Sequence, residues 1–290
     1  MAWIELAVAS RYPDFAEAVL EACGAASVTM TDAADVPVLE PAPGETPLWP
    51  ATITRGLFLA GTDLDAVRAA LGEQLPDGAD AEITLHPVED RDWVRAWLDH
   101  AQPLPFGERL WICPSGHTVT AENAVIVHLD PGLAFGTGTH PSTAMCLEWL
   151  ATHDVTNQRV LDYGCGSGVL AIAALKLGAR DAIGVDIDPQ ALIATRDNAE
   201  INGVAERMRC ADVAQPVDDV VDIVLANILA RPLIELAPTL ASRIRPGGAI
   251  VLAGLLERQA EEVREAYAPW FDFEPDGRKD GWNRLSGQRR

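Results

Sequence analysis

The sequence predicts an α/β protein: a doubly wound parallel sheet in the larger C-terminal part, preceded by a small α+β domain of ferredoxin-like layout. Three observations lead there. From about residue 139 the chain repeats strand–helix units whose strands are nearly continuous apolar runs, the pattern of a parallel sheet covered on both faces. The first 88 residues instead read β-α-β-β-α-β. One strand, at 159–164, runs directly into a turn with glycine at every second position.

Within the first 88 residues, WIELAVA (3–9) alternates apolar and polar positions like a half-buried strand. PDFAEAVLEAC (13–23) has helical apolar spacing and is closed by Gly24. SVTMTD (27–32) is a second strand, and the five prolines between 33 and 50 predict a loop. TITRGLFLAG (52–61) is a third strand, Asp63 caps a helix running to about Leu71, and AEITLHPV (81–88) is the fourth strand. Residues 89–102, with Trp93, Val94 and Trp97 on one face, read as a linking helix to a second domain at 103–290. RLWIC (109–113) and NAVIVHLD (123–130) read as strands that pair as a hairpin. A helix follows Pro141, and strands are then expected at 159–164, 181–188, 207–212, 222–228 and 249–255. Helices are expected at 168–178, 189–203, 231–244 and 259–269. In such a fold the ligand sits at the carboxyl ends of the first strands.

The 290 residues carry 43 Asp+Glu against 22 Lys+Arg, a formal charge of −21. That balance argues against a protein working through a broad basic surface on nucleic acid or anionic lipid. Residues 1–88 hold fourteen acids against three arginines and no lysine. This reads either as a solvated acidic face or as a recognition surface for a basic protein. No apolar run approaches the ~18–20 residues of a membrane helix. The opening MAWIELAVASRYPDF has no basic region and meets Glu5, so neither a signal peptide nor a membrane partner is expected. The five cysteines are widely spaced without a CxxC, so they are expected as small buried hydrophobes in a reducing, cytoplasmic setting, with no disulfide framework or metal site.

The central chemical signal is Asp162-Tyr163-Gly164-Cys165-Gly166-Ser167-Gly168. Glycine permits a tight turn and lets a ligand approach without a Cβ in the way. A dinucleotide pyrophosphate loop is spaced G-x-G-x-x-G, with the phosphates on a helix N-terminus. Here the spacing is G-x-G-x-G and a carboxylate precedes it, which favours an ammonium or sulfonium ligand over an anion. S-adenosylmethionine has both groups and no phosphate, so it fits better than NAD. A tight turn with no ligand is the plainer alternative.

Asp186 ends the next strand, 22 residues after Gly164, where a carboxylate can take both ribose hydroxyls. Asp188, ahead of Pro189, is expected to cap a helix. Asp212 is either an adenine contact or an ordinary loop acid. Asn227 ends the fourth strand, where its side-chain oxygen can accept hydrogen bonds from a substrate amine or satisfy strand-end backbone groups. The segment 130–143 packs three glycines, three threonines and His140 into a short span that is costly to order without a ligand. It reads as a lid in which Phe135 covers the cofactor beside Gly136 and Thr137, and Thr143 reaches it from the following helix. His140 is either a general base or a loop anchor.

DPGLAFGTGTHPST, LDYGCGSGVLAIAALKLGA, GVDIDPQAL, DNAEING and ANILA, in this order, closely resemble the ribosomal protein L11 methyltransferase family. The resemblance continues upstream through RDWVRAWLDHAQPLPFGERLWICPS and downstream to GWNRLSG, while the first 88 residues resemble the family in layout more than in letters. It implies a class I methyltransferase fold, Rossmann-like, joined by a linking helix to a small substrate-recognition domain. It also implies trimethylation of lysine ε-amines and the N-terminal α-amine of a large-subunit ribosomal protein by S-adenosylmethionine. Matched letter by letter, the cofactor positions are Thr143, Gly164, Asp186 and Asn227, with Gly166 beside them and Asn227 also the catalytic candidate. Two positions depart from the family pattern: Ser142 stands where a threonine is frequent, and ICPSGH lacks a tryptophan after CPS. A methyltransferase of small molecules or nucleic acid is the competing reading. A monomer without direct nucleic-acid contact is expected.

Overall fold

A computed structural model describes residues 2–34, 48–76, 81–88, 102–130, 136, 138–214 and 219–290. The chain divides into two compact units, Met1–Asp92 and Trp93–Arg290.

In the first unit β1 (Trp3–Ala9), α1 (Pro13–Ala22), β2 (Ser27–Asp32), β3 (Thr52–Leu59), α2 (Leu64–Gln74) and β4 (Glu82–Val88) follow in the anticipated order. The strands form one antiparallel sheet ordered β2-β3-β1-β4, the ferredoxin-like arrangement. Leu6 and Val8 from β1, Phe58 from β3, Val19 and Leu20 from α1 and Val67 and Leu71 from α2 share one buried cluster. Helix α1 ends as its sequence suggests. Gly24 takes φ +86°, and the amides of Gly24 and Ala25 reach back to the carbonyls of Glu21 and Leu20. Asp63 caps α2 by accepting the Ala66 amide at 3.1 Å. Most of the proline-rich loop and of the anticipated linking helix at 89–102 lies outside the described residues.

The second unit opens with a small sheet of β5 (Leu104–Phe106), β6 (Leu110–Cys113) and β7 (Val125–His128). Here the hairpin expectation fails. β6 and β7 run parallel, and the antiparallel partner of β6 is β5. The reason is the connection: residues 114–124 are too many for a tight turn and long enough to carry the chain back to the starting edge. Helix α3 (Pro141–Thr152) follows.

The main sheet uses β8 (Arg159–Tyr163), β9 (Asp181–Asp186), β10 (Met208–Asp212), β11 (Val221–Asn227) and β12 (Ile244–Leu256) as parallel strands. Between them run α4 (Val169–Lys176), α5 (Pro189–Ile201) and α6 (Ala230–Arg243), and α7 (Ala260–Tyr267) follows β12. Every residue of α4 from Val169 to Leu175 is buried, as its unbroken apolar sequence requires. Two buried clusters serve the sheet, one including α4 and β6, the other α6 and α7.

The sheet is not wholly parallel, contrary to the sequence reading. β13 (Phe271–Phe273), β14 (Gly277–Lys279) and β15 (Trp282–Arg289) add an antiparallel end, giving the order β10-β9-β8-β11-β12-β15-β13 with β14 on β15. Asp280 and Gly281, both at positive φ, make the two-residue turn that joins β14 to β15. The strand order reverses between β8 and β11, which marks the switch point where a doubly wound sheet binds its ligand.

At that point Ile228 fills space left by two glycines. A Cβ on Gly164 would fall 2.2 Å from the Ile228 side chain, and one on Gly254 would fall 2.5 Å from its carbonyl oxygen. Both glycines hold positive φ. Gly254→Ala combines that backbone strain with a clash against main chain, so it is expected to cost about 2–4 kcal/mol in denaturant unfolding. A loss under about 1 kcal/mol contradicts this packing.

Candidate active site

Strands β8 and β11 end side by side, and the crevice at their carboxyl ends has a volume of about 430 Å³. Gly136, Thr143, Gly164, Gly166, Asp186 and Asn227 all line it. These are all the sequence-selected cofactor residues except Phe135 and Thr137, which lie outside the described residues.

The turn after β8 is held by its own amides. Those of Gly164 and Cys165 donate to the Val185 carbonyl at 2.7 and 3.0 Å, and that of Gly168 donates to the Cys165 carbonyl at 2.7 Å. The Gly166 amide donates to Asp186 Oδ2 at 2.9 Å. At the start of α4, the Val169 amide donates to Ser167 Oγ and the Ala171 amide to Asp162 Oδ2. A phosphate site needs free N–H groups at this place. Here six of these N–H groups between Gly164 and Ala171 are spent inside the protein, so the loop suits a ligand without phosphate.

Asp186 meets the crevice with both oxygens partly engaged, Oδ2 by Gly166 and Oδ1 by the Asp188 amide at 3.0 Å. Each oxygen keeps a lone pair, and two such acceptors side by side match a pair of vicinal hydroxyls. Ser167 Oγ donates to the Gly136 carbonyl at 2.7 Å, which fastens this residue of the anticipated lid to the glycine turn. Asn198 Nδ2 donates to the Ser167 carbonyl at 2.8 Å, so the DNAEING segment braces the same turn from α5.

Asn227 closes β11. Its Nδ2 donates to Thr143 Oγ1 at 3.1 Å, while its Oδ1 is buried and has no partner among the described residues. Thr143 lies in the first turn of α3 and is fully buried. An unpartnered buried carbonyl oxygen on a crevice wall is an acceptor prepared for a donor on a ligand.

Other sequence-selected residues fall elsewhere. Asp162 does not line the crevice. It turns inward to the N-terminus of α4, where the helix amides and dipole attract a carboxylate. Burial, resisted by the Ala171 hydrogen bond and reinforced by Asp186, pushes its pKa up to about 7. His140 is also absent from the wall. It caps α3, its Nδ1 accepting the Ser142 amide at 3.3 Å, and its ring meets Trp282 edge-on at 4.6 Å. Burial lowers its pKa. These contacts are those of the loop anchor. Asp188 caps α5 through the Gln190 amide at 2.9 Å, and Asp212 takes the Ala214 amide at 2.8 Å as an ordinary turn acid. Among the cysteines, Cys113, Cys146 and Cys165 are buried, whereas Cys23 and Cys210 are half-buried; all five are free thiols.

Sequence reasoning missed the apolar wall. Ile187, Val213, Ile228, Leu229, Pro232 and Leu236 line the crevice, and Ile187 remains 78% exposed. A signal was present: an apolar residue follows the strand-ending acid in two successive βα units, Asp186-Ile187 and Asp212-Val213, where water would favour a polar one.

A doubly wound sheet with an antiparallel edge, and a crevice between an acid-ended and an asparagine-ended strand, define a class I methyltransferase. A family model, Ribosomal protein L11 methyltransferase (PrmA), matches residues 2–290. The ribosomal protein L11 methyltransferase of Actinobacillus pleuropneumoniae serotype 5b is 50% identical over 297 residues, covering 100% of both chains. That of Aeromonas salmonicida is 52% identical over 292 residues, covering 100% of this chain and 99% of the relative. A crystal structure of the ribosomal protein L11 methylase from Lactobacillus delbrueckii subsp. bulgaricus superposes with a TM-score of 0.61 at 31% identity. It covers 66% of this chain and 100% of that one. The chain belongs to the ribosomal protein L11 methyltransferase family.

The raised Asp162 gives a pH test. Its folded pKa of about 7 exceeds the unfolded 3.8, so its contribution to stability is present below about pH 4 and lost as pH rises through 7. Thermal melts across pH 4–8 are expected to show Asp162→Asn gaining on the wild type as pH rises. Parallel curves contradict the assignment.

Proposed function

We propose that this protein transfers methyl groups from S-adenosylmethionine to amines of ribosomal protein L11, both lysine ε-amines and the N-terminal α-amine. The observation that carries the amine reading is the buried, unpartnered Oδ1 of Asn227 at the end of β11. Asn227 lines a crevice whose other walls fit the methyl donor: a carboxylate with two free lone pairs for the ribose, apolar side chains for the base, and a glycine turn with most of its amides already used.

When bound, S-adenosylmethionine supplies a methyl group on a positively charged sulfur that leaves as a neutral thioether. The protein's task is then to hold and align the attacking nitrogen, and proximity carries much of the acceleration. The amine must be neutral to attack. A lysine ordinarily titrates near ~10.4, and a largely apolar crevice lowers that value by desolvation. Asn227 Oδ1 accepts an amine N–H and leaves the nitrogen lone pair free.

Among the described residues lining the crevice, the ionisable side chains are Tyr163, Cys165 and Asp186. Burial raises the pKa of Tyr163 and of the Cys165 thiol, and Asp186 is bound by two backbone amides. The proton therefore leaves to water, and no dedicated base is assigned. On the same reading the acidic first unit recognises the basic ribosomal protein. Among the described residues no helix is long and apolar enough to cross a membrane. The protein works as a cytoplasmic monomer without direct nucleic-acid contact.

Incubation with labelled S-adenosylmethionine and unmethylated L11, RNA and free amines is expected to label L11 alone, with mass spectrometry placing the methyl groups on lysine and N-terminal nitrogens. Label on RNA, or on no macromolecule, overturns the reading. Asp186→Ala removes two charge-assisted contacts and is expected to weaken donor binding by about 10²-fold or more in calorimetry. Asn227→Ala is expected to cut turnover far more than donor affinity; unchanged turnover rules out its amine-holding role.

A further inference from the structure

We infer that Asn198 and Asn202 serve this reaction as positioning residues: through them α5 sets where Gly136 stands against the crevice, and so sets the affinity for the methyl donor. The inference rests on the reading that the donor lies in this crevice. It gives a role to the DNAEING segment, which supplies no residue to the described crevice wall.

Thr195, Asn198 and Asn202 follow at helical spacing and share one face of α5. Each side chain ends on backbone outside the helix. Thr195 Oγ1 donates to the Gly166 carbonyl at 3.0 Å, and Asn198 Nδ2 donates to the Ser167 carbonyl at 2.8 Å. Asn202 is engaged on every side. Its Oδ1 accepts the His128 amide at 2.7 Å, and its Nδ2 donates to the His128 and Asn198 carbonyls, both at 2.8 Å. A backbone N–H can only donate and a carbonyl can only accept, so these partners leave the amide a single orientation and use both Nδ2 hydrogens. Asn202 is 6% exposed, which shields the bonds from water.

His128 ends β7, which lies at the edge of its sheet beside β6. The Leu129 amide turns to the Cys113 carbonyl of β6, at 3.1 Å, while both backbone groups of His128 turn to Asn202. The side-chain amide thus pairs with the strand edge as a neighbouring strand would. Gly203, at φ +67°, fixes the helix end that presents it: the amides of Gly203 and Val204 return to the carbonyls of Glu200 and Ala199.

The two ends of the stretch 128–136 are therefore referred to one helix. His128 is held by Asn202. Gly136, on the crevice wall, is held by Ser167 Oγ at 2.7 Å, and Ser167 is held in turn by Asn198. The same helix is capped by Asp188, two residues after Asp186, whose carboxylate binds the Gly166 amide. One element thus sets the acid, the glycine turn and Gly136 relative to one another. Without these bonds Gly136 spends part of its time away from the position that matches the donor, and apparent affinity falls by the fraction of molecules still in it. The consequence belongs to donor binding and not to the transfer step.

The test measures affinity for S-adenosylhomocysteine by calorimetry, and KM for S-adenosylmethionine and kcat with L11. It compares wild type, Asn198→Ala, Asn202→Ala, Ser167→Ala and the double variant Asn198→Ala with Ser167→Ala. Each single variant is expected to bind about tenfold more weakly, with KM rising in step and kcat at saturating donor within about threefold of wild type. The double variant is expected to stay within about threefold of the weaker single, because Asn198 acts through Ser167. A lower kcat with donor affinity within about twofold of wild type marks a purely structural role and overturns the inference: a partly unfolded sample loses active molecules without changing the KM of the rest. Fully additive losses in the double variant overturn it as well. Asn198 is only half-buried, so its variants with Ser167 carry the comparison should Asn202→Ala not fold. A wild type that binds no S-adenosylhomocysteine defeats the donor reading itself; a wild type that binds, with variants indistinguishable from it, defeats this inference alone.

Discussion

The turn between β8 and α4 spends most of its own amides inside the protein. Four of its amides close onto Val185, Cys165 and the Asp186 carboxylate, and the first turn of α4 closes onto Ser167 and Asp162. This single constraint decides the character of the site. A loop with free amides draws phosphate, and a loop with engaged amides and a nearby carboxylate does not. It also joins two strands: the Gly166–Asp186 bond ties the turn after β8 to the end of β9, which keeps the sugar-binding acid at a set distance from the turn.

On the other side of the switch point, the end of β11 is held by packing. Ile228 is wedged where Gly164 and Gly254 lack a Cβ, so the residue that follows Asn227 has little room to shift. The site thus combines a hydrogen-bonded half that suits the donor with a sterically locked half that suits the acceptor. Catalysis by alignment demands this rigidity, because small displacements of the attacking atom are costly.

Most of this was legible in the sequence where a local rule acts on its own. β2 matches its expected bounds, Asp63 and Asp188 cap as expected, and Gly164, Asp186 and Asn227 meet at one crevice. What failed depended on non-local facts. The direction of β7 relative to β6 is set by the path of an eleven-residue connection, which apolar patterning does not encode. The antiparallel edge carries one local signal, the hairpin dipeptide Asp280-Gly281, but the pairing of the resulting strand with β12 is not local. Asp162 was aimed at the ligand because it precedes the glycines, yet the helix N-terminus beneath the turn competes for it and wins. The apolar wall was hidden because exposed isoleucines and leucines are common and rarely meaningful singly.

The central claim is that this crevice accepts a positively charged, phosphate-free methyl donor. Calorimetric titration of the wild-type protein with S-adenosylmethionine, followed by competition with NAD, tests it most directly. The account predicts saturable binding of the methyl donor at one site per chain that NAD does not displace. Tight binding of NAD, with displacement of the methyl donor, would contradict it.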